Sequence, residues 1–365
     1  MASSKKKILW LTHEANLSGA NIAMLEYANA LKDEYDFHFI QPHQGNMVEV
    51  IQKQNFGSAI IYQYAWAVSA DLPIVKNKIK VFVRSLIAIC KTCILIFKEK
   101  PSTVFTNTQV PFIASIAAYI MCKPHVWWLH EFGEEDFGFT IGFGKKQKAY
   151  AWMQKSKLFI ANSKAILNKF QALMPVANIK CIYQPVTVKH FEVIEKKTAP
   201  YLMFGQLIKN KGHLEVLSAL AKVDNRFNKE LLHIIGPSED AKYVETLQNF
   251  IFENGLTSNV KIKTGFFIKE EILPQYNFLI VASKAEAFGR VIIEANKMGL
   301  KVIVNNSGGA PELVNETNGI LYNTEMDLIK IFNGNCTFNN SENKLAYDEN
   351  EEIIKLKKYL LEINA

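Results

Sequence analysis

Phe278-Leu-Ile-Val-Ala-Ser-Lys-Ala-Glu286-Ala-Phe288-Gly289-Arg290-Val-Ile-Ile-Glu294 reads as a short apolar strand, a turn of small residues, and the opening of a helix that runs to about Met298. A strand feeding a helix through a tight glycine-bearing turn is the unit from which parallel sheets are built. Such a turn exposes unpaired backbone N–H groups at the positive end of the helix, so the amides near Phe288, Gly289 and Arg290 can hold a phosphate. Glu294 lies about six residues into the helix, roughly 9 Å along its axis. That reach suits a ribose carried by the same phosphates, while Glu286 precedes the helix and reaches their other side. One carboxylate on each side of a diphosphate is what a sugar nucleotide needs. An ordinary buried turn with two surface glutamates has the same spacing, so the pattern alone leaves both readings open.

The same alternation runs the length of the chain. Residues 8–11 read as a strand and 21–31 as a helix, with Ile22, Leu25, Ala28 and Leu31 at spacing three. Apolar runs at 37–40, 59–62, 104–106, 126–129 and 158–161 are further strands. The beat resumes at 201–204, 231–235, 260–262, 278–281 and 301–304. About a dozen strands are too many for one ordinary doubly wound domain. The apolar pattern breaks at 190–200, where Glu192, Glu195, Lys196, Lys197 and Pro200 intervene. The chain is therefore expected to be α/β, with two Rossmann-like doubly wound parallel-sheet domains facing across a cleft. The first spans 1–190, the second 200–345, and 346–365 forms a closing amphipathic helix. In open α/β sheets, ligands sit beyond the carboxyl ends of the strands.

Composition narrows the class. Of 365 residues, 49% are apolar and 21% charged, which excludes a disordered chain. The net charge of +7 is unevenly spread: 24 basic against 14 acidic residues in 1–199, net +10, and 18 against 21 in 200–365, net −3. A basic first half suggests an anionic partner there, such as a phospholipid surface or a phosphorylated acceptor. Nucleic acid is not expected, because the only arginines are Arg84, Arg226 and Arg290 and no dense basic run interleaves with aromatics. The apolar run after Lys5, Lys6 and Lys7 ends at His13 and Glu14, too short for a signal-peptide core. The uncharged stretch 101–122 is broken by Asn107, Thr108, Gln109 and Pro111, and reads as buried strand, turn and helix. Five cysteines (Cys90, Cys93, Cys122, Cys181, Cys336) make no disulfide framework, and Cys90-Lys-Thr-Cys93 reads as core packing. A reducing cytoplasmic compartment is expected.

Other segments agree with the opening one in order. Tyr201-Leu-Met-Phe-Gly205-Gln206-Leu207 is followed by Lys211-Gly212, and Ser307-Gly308-Gly309-Ala-Pro311-Glu312 comes later. Ala161-Asn162-Ser163-Lys164 and Trp128-Leu-His130-Glu131 lie in the first half. With Glu286 and Glu294 as a Glu-x7-Glu pair, this set resembles the retaining family-4 glycosyltransferases, glycosyl transferases group 1, whose fold is GT-B. The likeness covers most of the chain and is strongest over 200–323.

The resemblance implies a transferase acting on a nucleotide sugar, UDP-linked in the first instance, with a glycan or lipid-linked acceptor. Under it Lys211 neutralises the donor diphosphate, Glu286 binds hydroxyls of the transferred sugar, and Glu294 binds the ribose. Amides of Phe288, Gly289, Arg290 and Val291 hold phosphate, and Gly265, Phe266 and Phe267 flank the base. Gly19 lets the first loop approach the donor, and His130 approaches the reacting sugar. Taken alone, Lys211 is an ordinary solvent-facing lysine, Gly19 a helix-start glycine, and His130 more often a packed core histidine. Two positions depart from the family pattern. Gln206 stands where an arginine is usual, which removes a charge from the diphosphate site. The first loop reads Ser18-Gly19-Ala20-Asn21 rather than Gly-Gly-Ala-Glu.

No His-Glu-x-x-His or Asp-x-Asp set occurs, so no metal or other cofactor is expected. A sugar-nucleotide epimerase or phosphorylase of the same shape, or a non-catalytic sugar-nucleotide-binding subunit, are the competing readings. An NAD dehydrogenase is disfavoured, because Gly-x-Gly-x-x-Gly does not follow the first strand. Residues 74–98 alternate apolar groups with Lys76, Lys78, Lys80, Arg84, Lys91 and Lys98. They fit either a helix resting on anionic membrane, at the inner face of the plasma membrane, or a core-facing helix, the preferred reading.

Overall fold

The computed structural model describes residues 5–69, 78–195, 197–223, 230–335, 337–339 and 341–364. Of the residues singled out above, Lys76, Lys196, Arg226 and Cys336 lie outside the described residues. The chain divides into two units: Met1–Pro185 with Asp348–Ala365, and Val186–Tyr347.

The first unit holds β1 (Lys6–Leu11), β2 (Tyr35–Gln41), β3 (Gly57–Ile60), β4 (Val68–Ser69), β5 (Thr103–Asn107), β6 (His125–Leu129), β7 (Phe139–Thr140), β8 (Leu158–Ala161) and β9 (Ile179–Cys181). Seven of these form a parallel sheet in the order β3-β2-β1-β5-β6-β8-β9, and β4 pairs with β7 antiparallel. The second unit holds β10 (Ala199–Phe204), β11 (Leu232–Gly236), β12 (Val260–Thr264), β13 (Tyr276–Val281), β14 (Lys301–Asn305) and β15 (Gly319–Tyr322). They form one parallel sheet in the order β12-β11-β10-β13-β14-β15. The Rossmann-like α/β expectation holds for both units.

In each sheet the order reverses beside the first strand, between β1 and β5 and between β10 and β13. Right-handed crossovers first lay helices on one face, then on the other, and the crevice left at that reversal is where such sheets bind ligands. Central strands are apolar throughout because helices cover both faces: β6 and β11 are buried at every residue. In the first unit the core is aromatic, with Trp10 stacked on Trp128 at 5.4 Å and Tyr27 against Trp128 at 4.9 Å. The helix Glu349–Ile363 adds Leu356 and Leu360 to that core. In the second unit Val216, Leu217, Leu220, Ile234, Leu247 and Ile303 are fully buried, each worth about 1.5–3 kcal/mol.

One expectation is corrected. The helix Lys78–Glu99 buries Val81, Ser85, Ala88, Thr92 and Ile96, yet exposes Phe82, Leu86, Ile87, Ile94 and Phe97. Its packed stripe is narrow, small and partly polar, so the core-facing reading fits only that stripe. Cys90 is exposed rather than packed, and Cys93 is half-buried. Residues 101–122 form β5 and the helix Ile113–Ile120 as expected, and no described helix is long and apolar enough to cross a membrane.

Candidate functional site

In the second unit Gln206 and Lys211 follow β10 and Glu286 to Glu294 follow β13, the two strands that flank its reversal point, while Gly265, Phe266 and Phe267 follow the edge strand β12. After β10 the chain turns through Lys209–Lys211 and Gly212, then enters the helix His213–Ala221. Gly212 has φ +73°, and a Cβ there would lie 2.3 Å from the carbonyl oxygen of Ala282. Only glycine lets this turn press against the end of β13. After β13 the chain passes Glu286 and reaches Gly289, whose φ of +97° caps the helix Arg290–Lys297.

The Gly308-Gly309 loop supports Glu286 from a third direction. Gly309 N donates to the Glu286 carbonyl at 2.7 Å. A Cβ on Gly308, at φ +68°, would lie 2.5 Å from that same oxygen. Ser307 Oγ donates to the Lys284 carbonyl at 2.8 Å. Two glycine turns thus clamp the backbone that carries Glu286.

These supports bring Lys211 Nζ to 2.8 Å from Glu286 Oε2, with the side chains 35% and 19% exposed. Glu294, on the buried side of its helix, meets an ammonium the sequence reading did not single out. Lys269 Nζ lies 2.5 Å from Glu294 Oε1, with side chains 23% and 11% exposed. Lys269 follows β12 and the loop Gly265-Phe266-Phe267, in which Phe266 is 93% exposed. Each glutamate of the Glu-x7-Glu pair therefore has a lysine partner, Lys211 from the turn after β10 and Lys269 from the start of a short helix after β12. No motif spacing marks Lys269, since it stands 25 residues from its partner. Phe288 is buried, Arg290 is the first residue of its helix, and Val291 follows it. Ile292 N donates to the Gly289 carbonyl at 2.9 Å as the helix begins, and the positive end of the helix dipole there favours negative charge. Gln206 is exposed, next to Gly205 at the end of β10. His213, buried behind the Lys211 turn, touches Tyr243 Oη at 3.2 Å, and burial lowers its pKa to about 4.

His130 and Gly19 belong to the first unit, at the carboxyl ends of β6 and β1. Gly19 is the first residue of the helix Gly19–Leu31 and is exposed. His130 is buried and stacks on Trp128 at 5.7 Å. Its Nε2 lies 2.9 Å from Asn107 Oδ1 and its Nδ1 lies 3.0 Å from Gln184 Nε2. With the amides so oriented, Nε2–H donates and Nδ1 accepts, the neutral tautomer. Asn107 Nδ2 also donates to Asn21 Oδ1 at 3.0 Å, and Asn21 Nδ2 donates to the Asn16 carbonyl at 2.8 Å. A buried amide network thus ties His130 to the loop of Gly19, a link that sequence spacing does not reveal. Beside it, Glu131 accepts from Gln109 N at 2.7 Å, and burial pushes its carboxyl up to about 8. Among the described residues no group of His, Cys, Asp and Glu is arranged to hold a metal ion.

Residues 187–332 match the family described as Glycosyl transferases group 1. A GDP-mannose-dependent alpha-(1-6)-phosphatidylinositol monomannoside mannosyltransferase of Mycobacterium tuberculosis is 29% identical over 137 residues, 34% of each chain. The Mycolicibacterium smegmatis protein of the same name is 28% identical over 138 residues, 34% of this chain and 35% of that one. The chain thus spans about a third of the length of the curated relatives it matches. Among solved structures, a glycosyltransferase from Rickettsia africae has a TM-score of 0.78 at 19% identity, covering 99% of both chains. Anabaena HepE in complex with UDP has a TM-score of 0.68 at 21% identity, covering 98% of this chain and 97% of its own. At these identities the structures speak for the fold, which is GT-B.

Proposed function

From the match of residues 187–332 to the group 1 glycosyl transferases, we propose that the chain is a retaining glycosyltransferase. It moves a sugar from a nucleotide sugar, UDP-linked in the first instance, to a glycan or lipid-linked acceptor. The observation that carries the reading is the meeting of Lys211 and Glu286 at 2.8 Å, beside the Gly289-capped helix start and at the reversal point of the second sheet. Diphosphates bind at such crevices, where a helix start and a lysine add positive charge.

In this reading the sugar–phosphate bond breaks while negative charge grows on the leaving diphosphate. Lys211 and the amides of Phe288, Gly289, Arg290 and Val291 offset that charge, without a divalent ion. Gln206 donates a hydrogen bond but no charge, which makes Lys211 more important here than in a site with an added arginine. Glu286 binds hydroxyls of the transferred sugar, Glu294 binds the ribose, and Gly265, Phe266 and Phe267 flank the base. Gly19 lets its loop approach the donor, and His130 serves the reacting sugar. Retention follows if the acceptor hydroxyl attacks from the face that the diphosphate leaves and gives its proton to the departing phosphate oxygen. Uridine as the base is supported by Anabaena HepE, solved with UDP. The names of the mycobacterial relatives, GDP-mannose-dependent enzymes, make guanosine the competing base.

A thermal-shift panel of UDP, GDP, ADP and their sugars tests the reading. Ligand at about 100 times its dissociation constant adds about 2.7 kcal/mol to stability. Stabilisation by UDP, with acceptor-dependent release of sugar from a UDP-sugar that Glu286→Gln slows, is the expected result. Interconversion of free nucleotide sugars without an acceptor would assign an epimerase. Binding without turnover would assign a non-catalytic subunit, and stabilisation by NAD alone would overturn the site.

A further inference from the structure

The outward face of the helix Lys78–Glu99 reverses the usual amphipathic order. Val81, Ser85, Ala88, Thr92 and Ile96 recur every three to four residues and are at most 8% exposed. The large apolar groups point the other way: Ile79 is 77% exposed, Phe82 64%, Leu86 45%, Ile87 50%, Ile94 66% and Phe97 73%. At about 100° of turn per residue, they form a crest opposite the packed stripe. Lys80, Arg84, Lys91 and Lys98 fall together on one flank of that crest, and no acidic residue occurs between Lys78 and Lys98. Arg84 is braced over the Tyr62 ring at 5.2 Å. On another side the neighbouring helix Ile113–Ile120 adjoins, with Cys93 Sγ 4.0 Å from the Ala117 carbonyl. One turn past Ala117, Tyr119 and Ile120 are 58% and 55% exposed and extend the apolar surface.

Single exposed apolar residues are ordinary, but a contiguous crest of this kind marks a surface that is covered by something. We propose that this crest docks the first unit on an anionic lipid bilayer, lying in the interface without crossing it. Two features choose a bilayer over a second copy of the chain. An isologous pair would bring the same four cations toward one another, whereas acidic headgroups neutralise them. The helix is about 33 Å long at 1.5 Å per residue, and no described helix is apolar enough to cross a membrane, so it lies flat. The inference rests on the first unit's surface and is independent of the donor-site reading.

Flotation of the full chain with vesicles tests it. Vesicles of equal parts phosphatidylcholine and phosphatidylglycerol are expected to carry the protein at low salt and to release it as salt rises. Vesicles of phosphatidylcholine alone are expected to carry much less. Each cation contributes about fivefold, so Lys80→Ser with Arg84→Ser and Lys91→Ser should weaken binding roughly 100-fold. Phe82→Ser with Leu86→Ser and Ile94→Ser should abolish it, with far-ultraviolet circular dichroism and melting temperature unchanged because these groups face outward. Absence of wild-type binding to the anionic vesicles, or binding equal in all variants, overturns the proposal. So does a wild-type dimer in sedimentation that the apolar triple variant turns to monomer, since that assigns the crest to a second copy.

Discussion

Replacing Glu286 by Gln is expected to tighten UDP binding while it slows sugar transfer. The Lys211 ammonium lies 2.8 Å from the Glu286 carboxylate, and the side chains are 35% and 19% exposed. Water screens a pair so placed, which limits it to about 1 kcal/mol. A diphosphate has to draw the same ammonium away from that partner. Removing the carboxylate's charge returns about 1 kcal/mol to the incoming anion, roughly a fivefold gain in affinity. Relief of carboxylate–phosphate repulsion adds to it. Lys211→Met acts in the opposite sense and removes a charge-assisted contact of about 1.5–3 kcal/mol, a loss of roughly 10- to 150-fold. In the Lys211→Met background, Glu286→Gln should lose most of its benefit, because there is no ammonium left to free. Isothermal titration with UDP on the four proteins, at one ionic strength, gives the full double-mutant cycle. Transfer assays on the same proteins should show Glu286→Gln slower despite its tighter nucleotide. Weaker UDP binding in Glu286→Gln, or unchanged binding in Lys211→Met, would refute the assignment of Lys211 to the diphosphate.

Lys269→Met should strand the Glu294 carboxylate, only 11% exposed, without its partner. A loss of about 2 kcal/mol in the second unit, read by chemical denaturation, is the expected cost of an uncompensated charge that is mostly buried. Gly308→Ala should push the Glu286 carbonyl away, given the 2.5 Å approach and φ of +68°. The left-handed conformation itself costs about 1–2 kcal/mol, and transfer should fall more than UDP affinity does. His125 sits fully buried between Thr106 Oγ1 and Ser156 Oγ, both at 2.8 Å, and burial lowers its pKa from 6.5 to about 3. Its contribution to stability is complete above the unfolded value and drains as pH falls toward the folded one. Between about pH 7 and about pH 4 that amounts to about 3 kcal/mol. Glu131 runs the other way, since a carboxyl raised from 4.5 to about 8 favours the fold below its unfolded value and ceases to do so as pH rises through the folded one. The informative measurement is therefore the difference between His125→Gln and wild type across that range, in urea unfolding. A pH-independent difference would mean that His125 is not neutral in the fold.

Much of this was legible in the sequence because it depends on short-range pattern. The apolar runs at 278–281 and 301–304 lie within β13 and β14, since a strand buried on both faces admits little but apolar side chains. The strands β9 and β15 escaped notice, being only three and four residues long. Glycines marked the turns around Glu286, because a Cβ at Gly212 or Gly308 meets backbone at 2.3 or 2.5 Å. The partnership of Lys269 with Glu294 was not legible, because a contact between two separate helices leaves no periodicity behind it. Nor was the amide network of Asn21, Asn107, His130 and Gln184, whose members come from four separate segments. The helix Lys78–Glu99 misled for a different reason: periodicity shows that two faces differ, not which of them packs inward.

The helix Glu349–Ile363 closes the aromatic core of the first unit, although the whole second unit intervenes in the chain. Glu352 within it accepts from Tyr183 N at 2.8 Å, and Asn364 beyond it donates to Thr103 Oγ1 at 2.9 Å. During synthesis on the ribosome, the half begun first is thus the half finished last. Its nascent core keeps an open seam beside Tyr27 until Leu356 and Leu360 emerge, while the inserted unit already has every strand it needs. Premature termination just before Asp348 would then spare the later-made half and leave the earlier one for proteases to find.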